Sequence, residues 1–203
     1  AIGASKNDGN GTDAGHVRVF QAPPNISSTE SDPTAASPIP ITVYFVQGIT
    51  GFAVGDITAS GGTMSNFTAV NANTYTLDLT PSGSGTLTLD IAANVVNEGN
   101  LATSQFSIEY DPTAPTGYTA TINETAINAG NETAIGFTFA GAEVGTTYNY
   151  TFSSDGGGTN VTGTGLIATA TDNITGINLS GLLDGTVTLS VTLTDDAGNI
   201  GTA

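Results

Sequence analysis

Residues 185–199 read Gly-Thr-Val-Thr-Leu-Ser-Val-Thr-Leu-Thr-Asp-Asp-Ala-Gly-Asn. Val187, Leu189, Val191 and Leu193 alternate with Thr and Ser. On an extended chain this puts four apolar side chains on one face and hydroxyls on the other. Thr and Val suit strands, and the Asp-Asp-Ala-Gly-Asn that follows is turn chemistry. The stretch is therefore a half-buried β-strand running into an acidic turn. Residues 85–100, GTLTLDIAANVVNEGN, follow the same plan, with a strong strand over Leu87–Ala92 and an acidic Gly-Asn loop over Asn97–Asn100.

Working outward, period-2 alternation recurs. Ile41, Val43 and Phe45 share one face, as do Tyr75, Leu77 and Leu79, then Leu87, Leu89 and Ile91, then Phe106, Ile108 and Tyr110. Further on come Tyr118, Ala120 and Ile122, then Ile135, Phe137 and Phe139, then Tyr148, Tyr150 and Phe152. Ile174, Ile177 and Leu179 lead into a Ser180-Gly181 turn. Gly48, Gly51, Gly61-Gly62, Pro81-Ser82-Gly83 and Glu98-Gly99-Asn100 punctuate the series. No stretch carries the helical period. Short strands at this spacing predict an all-β sandwich or barrel.

Two Pro-rich stretches divide the chain. Residues 22–40, APPNISSTESDPTAASPIP, read as a linker that becomes the first strand of the next domain. Asp111-Pro112-Thr113-Ala114-Pro115 reads as a stiff extended connector. Three segments follow: 1–21, the end of something larger upstream; 22–110, a sandwich with a Pro/Ser/Thr-rich lead-in; and 111–203, a second sandwich. Each of the latter two is near the ~100 residues of an immunoglobulin-type domain. Ala1 reads as an internal start, as in a mature product or a fragment.

Composition narrows the function. Among 203 residues the only cationic side chains that are always charged are Lys6 and Arg18, against 18 Asp and Glu. His16 is the single histidine, and Cys and Trp are absent. A surface of acids without cations repels nucleic acid and anionic membranes. Beyond position 18 a Ser/His/Asp triad, a Cys nucleophile, a Schiff-base Lys, a His-rich zinc site and a Lys–Asn isopeptide staple each lack an essential residue. No apolar run reaches the ~20 residues of a membrane span. Charged residues are only 10% of the chain, so the imbalance comes from missing cations rather than dense acids, and the apolar alternation argues for folded domains.

Three segments carry family resemblances. Residues 1–21, AIGASKNDGNGTDAGHVRVFQ, resemble the closing half of an FG-GAP-type repeat, the blade unit of integrin-like β-propellers. Residues 48–110, carried by GITGFAVGDITASGGTMSNFTAVNANTYTLDLTPSGSGTLTLDIAANVV, resemble a bacterial Ig-like domain. Residues 111–203 resemble the repeats of giant Bacteroidota surface adhesins, the gliding-motility adhesins of the SprB type. The carrying segments are DPTAPTGYTATI, INAGNETAIGFTFAGAEVGTTYNYTFSSDGGG and LSGLLDGTVTLSVTLTDDAGNIGTA. The resemblance implies an extracellular cell-surface location, type IX secretion, display as long filaments and a part in gliding.

The candidate sites are few. Ca²⁺ takes carboxylate, amide and carbonyl oxygens on loops. Asn97, Glu98 and Asn100, with Asp111 nearby in an Ig topology, offer such a set at the first boundary, and Asp195, Asp196 and Asn199 offer another. The same Asp, Asn and Gly are also ordinary turn formers, and both readings stand. Asp8, Asn10 and Asp13 fit a calcium loop only loosely, and a solvated turn reads better. Asp195 and Asp196 as neighbours point to opposite faces of an extended chain. A glycosidase needs facing carboxylates ~5–9 Å apart, so no catalytic residue is assigned. Tyr44, Tyr110 and Tyr118 are the aromatics for an exposed sugar platform, with core packing or edge cover as the plainer role. Asn-X-Ser/Thr triplets at Asn10, Asn25, Asn66, Asn123, Asn131, Asn149, Asn160, Asn173 and Asn178 are common chance products of this composition.

The expectation is a non-enzymatic stalk segment of a large surface adhesin, with neighbouring domains of the same long chain as its partners. A glycan- or surface-binding module taking a surface polysaccharide is the main alternative. An accessory domain of a secreted polysaccharide-degrading enzyme and a halophile surface-layer piece complete the set.

Overall fold

The structure, a computed structural model, describes residues 2–3, 17–18 and 22–203. Ile2–Gly3 (β1) pairs antiparallel with Val17–Arg18 (β2), Ile2 opposite Arg18. The rest of the expected propeller remnant lies outside the described residues. Beyond it the chain forms two compact all-β units. The first runs to Glu109 but leaves out Ser31–Ala35; those five residues belong with Tyr110–Ala203 in the second.

In the first unit the strands are β3 (Asn25–Ser28), β4 (Ile39–Tyr44), β5 (Ile57–Ser60), β6 (Gly62–Asn71), β7 (Thr74–Pro81), β8 (Gly85–Ile91) and β9 (Phe106–Tyr110). They form a four-stranded sheet, β3-β4-β7-β6, and a three-stranded sheet, β5-β8-β9. Lettered in order, these are the A-B-E-D and C-F-G sheets of a constant-type immunoglobulin sandwich. The alternating faces read from sequence are the core: Ile39, Ile41, Val43, Leu77, Leu79, Leu87, Leu89 and Ile91 are all buried. Phe45, Phe52, Phe67 and Tyr75 close one end with ring centroids 5.0–6.1 Å apart, mostly edge to face. Each aliphatic side chain so buried contributes ~1.5–3 kcal/mol relative to exposure, and no ion pair is needed for the fold to hold. Among the described residues the one helical element is a single 3₁₀ turn, Val54–Asp56.

The second unit contains β10 (Thr119–Ile122), β11 (Ile135–Ala140), β12 (Thr147–Ser154), β13 (Val161–Leu166), β14 (Asn173–Ile177), β15 (Val187–Thr194) and β16 (Ile200–Thr202). Here the sheets are β10-β11-β14 and β13-β12-β15-β16. The fourth strand has changed sheets: β13 hydrogen-bonds to β12, whereas its counterpart β6 bonds to β7. Both units are Ig-like sandwiches, differing in which sheet owns the extra edge.

Glycines decide that edge. Gly163 and Gly165 of β13 face Tyr150 and Tyr148 of β12 across the ladder. A Cβ on either glycine would come within 2.5 Å of the opposing tyrosine. The bare backbone of β13 lets both rings lie over it while they pack on Phe137, with centroids 5.4 and 6.4 Å away. Phe137, Phe139 and Phe152 are fully buried at the centre.

The Pro/Ser/Thr-rich lead-in is more than a linker. Its start forms β3, which pairs with β4 from Asn25–Tyr44 to Ser28–Ile41. Its middle, Ser31–Ala35, is a strap on the second unit. Thr34 is buried and forms a parallel bridge to Tyr110. Asp111 N–H donates to the Thr34 carbonyl at 3.0 Å, and Ala35 N–H donates to the Ala197 carbonyl at 3.2 Å. By sequence position alone these residues read as part of the first domain.

Candidate functional site

The first acidic loop is built around Glu98 and Asn100. The Thr50 backbone N–H and hydroxyl donate to the two oxygens of Glu98, each at 2.8 Å. Asn97 Nδ2 donates to the same hydroxyl at 3.0 Å. The Thr50 N–H foremost, then the hydroxyl, hold the Glu98 carboxyl below its ordinary value, because both bonds favour the ionised form. Asn100 is buried. Its Oδ1 accepts from Val95 N–H at 2.9 Å, and its Nδ2 donates to the carbonyls of Ala92 and Leu101, both at 2.8 Å. A buried amide must meet its hydrogen-bonding needs internally, and here it does so by pinning the turn after β8.

The second acidic loop repeats the device. Asp195 accepts Asn199 N–H at 2.8 Å and Asn199 Nδ2 at 3.0 Å, one on each oxygen. Asn199 Nδ2 also donates to the Asp111 carbonyl at 2.8 Å. Asp111 contributes its backbone there, while its side chain accepts Thr113 N–H at 2.9 Å and turns the connector. Asp196 is exposed. Asp172, which the sequence reading passed over, caps another loop: the Thr169 hydroxyl first, then the Ala168 N–H, hold its carboxyl below the ordinary value.

The seven residues named as calcium ligands thus sit on two loops, with Asp111 beside the second. Asn100 and Asp195 bond as turn formers, whereas Asn97 and Glu98 bond to the distant Thr50. Among the described residues no three His, Cys, Asp or Glu side chains gather closely enough to hold a metal ion. Asp8, Asn10 and Asp13 lie outside the described residues.

The tyrosines separate. Tyr44 is 43% exposed on the outer face of β4, and Tyr110 is half-buried at the Thr34 bridge. Tyr118 is buried, which is the plainer of the two roles its sequence position leaves open. Its hydroxyl donates to the Gly201 carbonyl at 2.8 Å and accepts Leu193 N–H at 3.1 Å. Leu193 and Gly201 are register partners in β15 and β16, so one phenol joins the start of the unit to its last strand. Burial is the leading reason its acidity is weakened. A Cβ on Gly201 would run into the Pro115 carbonyl, so the connector also presses on that strand. The hint in the sequence was a polar aromatic sharing the inward face of Ala120 and Ile122.

The family model described as a bacterial Ig-like domain matches residues 21–110. Among curated proteins none matches the chain. Solved structures similar to it include the adhesin InvE of Yersinia pseudotuberculosis, 17% identical over 88% of this chain with a TM-score of 0.34. Another is a tetra-tandem repeat in the extending region of a large adhesion protein, 18% identical over 99% of this chain with a TM-score of 0.38. The chain spans 56% and 53% of the lengths of those two chains.

Proposed function

We propose that this chain is a structural repeat segment of a large cell-surface adhesin, a stalk that spaces and presents other parts of the molecule. The observation that carries the reading is the Tyr118 clasp. In the second unit the first strand, β10, belongs to one sheet and the last, β16, to the other. Tension applied at the two ends of that unit would pull on these strands. The phenol bonds to Gly201 and Leu193, together with the three-pair register of β15 with β16, would have to break before the end strands part.

Other features agree. The Ig-like match over 21–110 and the second sandwich are what a repeat array requires. Asn100 and Asp195 hold the backbone of their own loops, and Glu98 is held by Thr50. The net charge of −16 keeps neighbouring filaments apart. Among the described residues no helix is long and apolar enough to cross a membrane. Export by the type IX route and a part in gliding are the finer form of the proposal and rest on the sequence resemblance.

An antibody against residues 22–203 tests it. Labelling of intact cells, with a band several times larger than this chain on a denaturing gel of whole-cell protein, is the expected result. A small band confined to the cell interior would overturn it.

A further inference from the structure

At one end of the second unit, the β10–β11 loop (residues 123–134) and the β14–β15 loop (residues 178–186) enclose an open groove of about 580 Å³. That lies within the ~300–1,000 Å³ of ordinary ligand sites. Its apolar lining includes Ile127, Leu179, Leu182 and Val187, and its acidic lining is Glu124, Glu132 and Asp184. Leu183, also in the lining, is 61% exposed.

The walls are fixed in place. Leu179 N–H donates to the Glu132 carbonyl at 2.7 Å, tying the two loops together. Asn131 bonds to Asn128 N–H and to the Ala126 carbonyl at 2.8 and 2.9 Å. Ser154 Oγ donates to the Leu183 carbonyl at 2.8 Å, and the Glu124 carboxylate accepts Gly136 N–H at 3.2 Å. A groove held this way loses little freedom when it is filled.

We propose that this groove binds a basic amphipathic segment of a partner protein, in which Lys or Arg alternates with an apolar side chain. Charge complementarity selects this partner. Three acidic residues line the groove beside its apolar side chains, and the chain carries no Lys or Arg from residue 19 onward to meet them. A second copy of this acidic chain would be repelled. An anionic or neutral partner would leave the carboxylates desolvated without a counter-charge, which is unfavourable. Apolar side chains of the guest would cover Leu182 and Leu183, while its cations meet Glu132 and Asp184.

The test uses the ¹⁵N-labelled chain and three peptides, acetylated and amidated: Arg-Leu-Arg-Leu-Arg, Arg-Ser-Arg-Ser-Arg and Glu-Leu-Glu-Leu-Glu. The first should give saturable amide shifts confined to the two loops. Adding salt should weaken it, since exposed charge pairs are screened. The exposed-site variant Leu183→Ser should weaken it about 3-fold, and Glu132→Gln with Asp184→Asn about 5-fold, in keeping with exposed ion pairs. Each variant is checked for a wild-type spectrum elsewhere. Equal binding of the Ser peptide would mean charge attraction alone, and equal binding of the Glu peptide would mean apolar contact alone. Groove shifts that depend on protein concentration without peptide would make the occupant a second copy. Each of these results, or no saturable shift at millimolar peptide, overturns the proposal.

Discussion

Replacing Tyr118 with Phe removes one oxygen atom and leaves the ring in its packing. The Leu193 N–H loses its acceptor and the Gly201 carbonyl loses its donor, and both residues are buried. A buried polar group stripped of its partner costs about 1–3 kcal/mol, so two such groups cost about 2–6 kcal/mol. In a domain of this size each kcal/mol moves the melting temperature by ~4–8 °C, giving a fall of roughly 8–48 °C for the second unit. Calorimetry of the chain should show that unit's transition moving and the first unit's staying put. Amide exchange at Leu193 should rise in parallel. The wild type should also weaken in alkali. Burial raises the folded pKa of Tyr118 above its ordinary value, so above pH ~10 the unfolded chain holds fewer protons than the native one. Stability from this group is therefore complete below that pH and is lost as pH rises through the folded pKa. Tyr118→Phe should flatten this part of the alkaline decline. A melting shift of under ~2 °C with unchanged Leu193 protection would refute the clasp.

Further outcomes are expected. A fragment of residues 110–203, lacking the Ser31–Ala35 strap, should be about 2 kcal/mol less stable than the same unit in 22–203, from two lost backbone bonds and exposure of the Thr34 site; equal urea midpoints would remove the strap from the second unit's fold. Gly158→Ala should destabilise by about 2–4 kcal/mol, because Gly158 has φ +96° and its Cβ would meet the Gly181 carbonyl oxygen at 2.5 Å. Gly83→Ala, with open space around its Cβ, should be neutral or stabilising by about 0.5 kcal/mol; thermal melts of the pair decide. An NMR titration should find the Glu98 carboxyl below the ordinary range, and Thr50→Val should move it upward. An unchanged midpoint would show that the Thr50 hydroxyl plays no part.

The strands with one buried face were legible. Ile41–Val43–Phe45, Leu87–Leu89–Ile91 and Val187 through Leu193 announce themselves because burial on one side alone imposes a period of two. The edge strands did not. β6, Gly62–Asn71, has no buried residue along its length, so nothing in its sequence had to alternate. β13 carries Gly163 and Gly165 where a strand would ordinarily carry bulk, and the reason lies on its neighbour, in Tyr148 and Tyr150. The acidic loops were legible as turns, since Asp195 and Asn199 bond within five residues. Glu98 was harder, because its partner Thr50 is distant in sequence. Tyr118 is similar: its hydroxyl partners lie 75 and 83 residues away, and no local pattern points to them. The strap was invisible for the same reason. A Pro- and Ser-rich stretch spells out a connector, and only the paired backbone of Thr34 and Ala35 reveals which unit it serves.

That strap sets an order of events for a chain that emerges from its N-terminus. Residues 31–35 leave the ribosome, or an export channel, long before Tyr110 follows. The first sandwich can close around β3 and β4 while the five residues between them stay uncommitted. The second can finish only by recruiting that older segment. Completion of one module thus depends on a piece held in reserve within another, and swapping or deleting repeats at the Asp111 boundary would leave that piece behind.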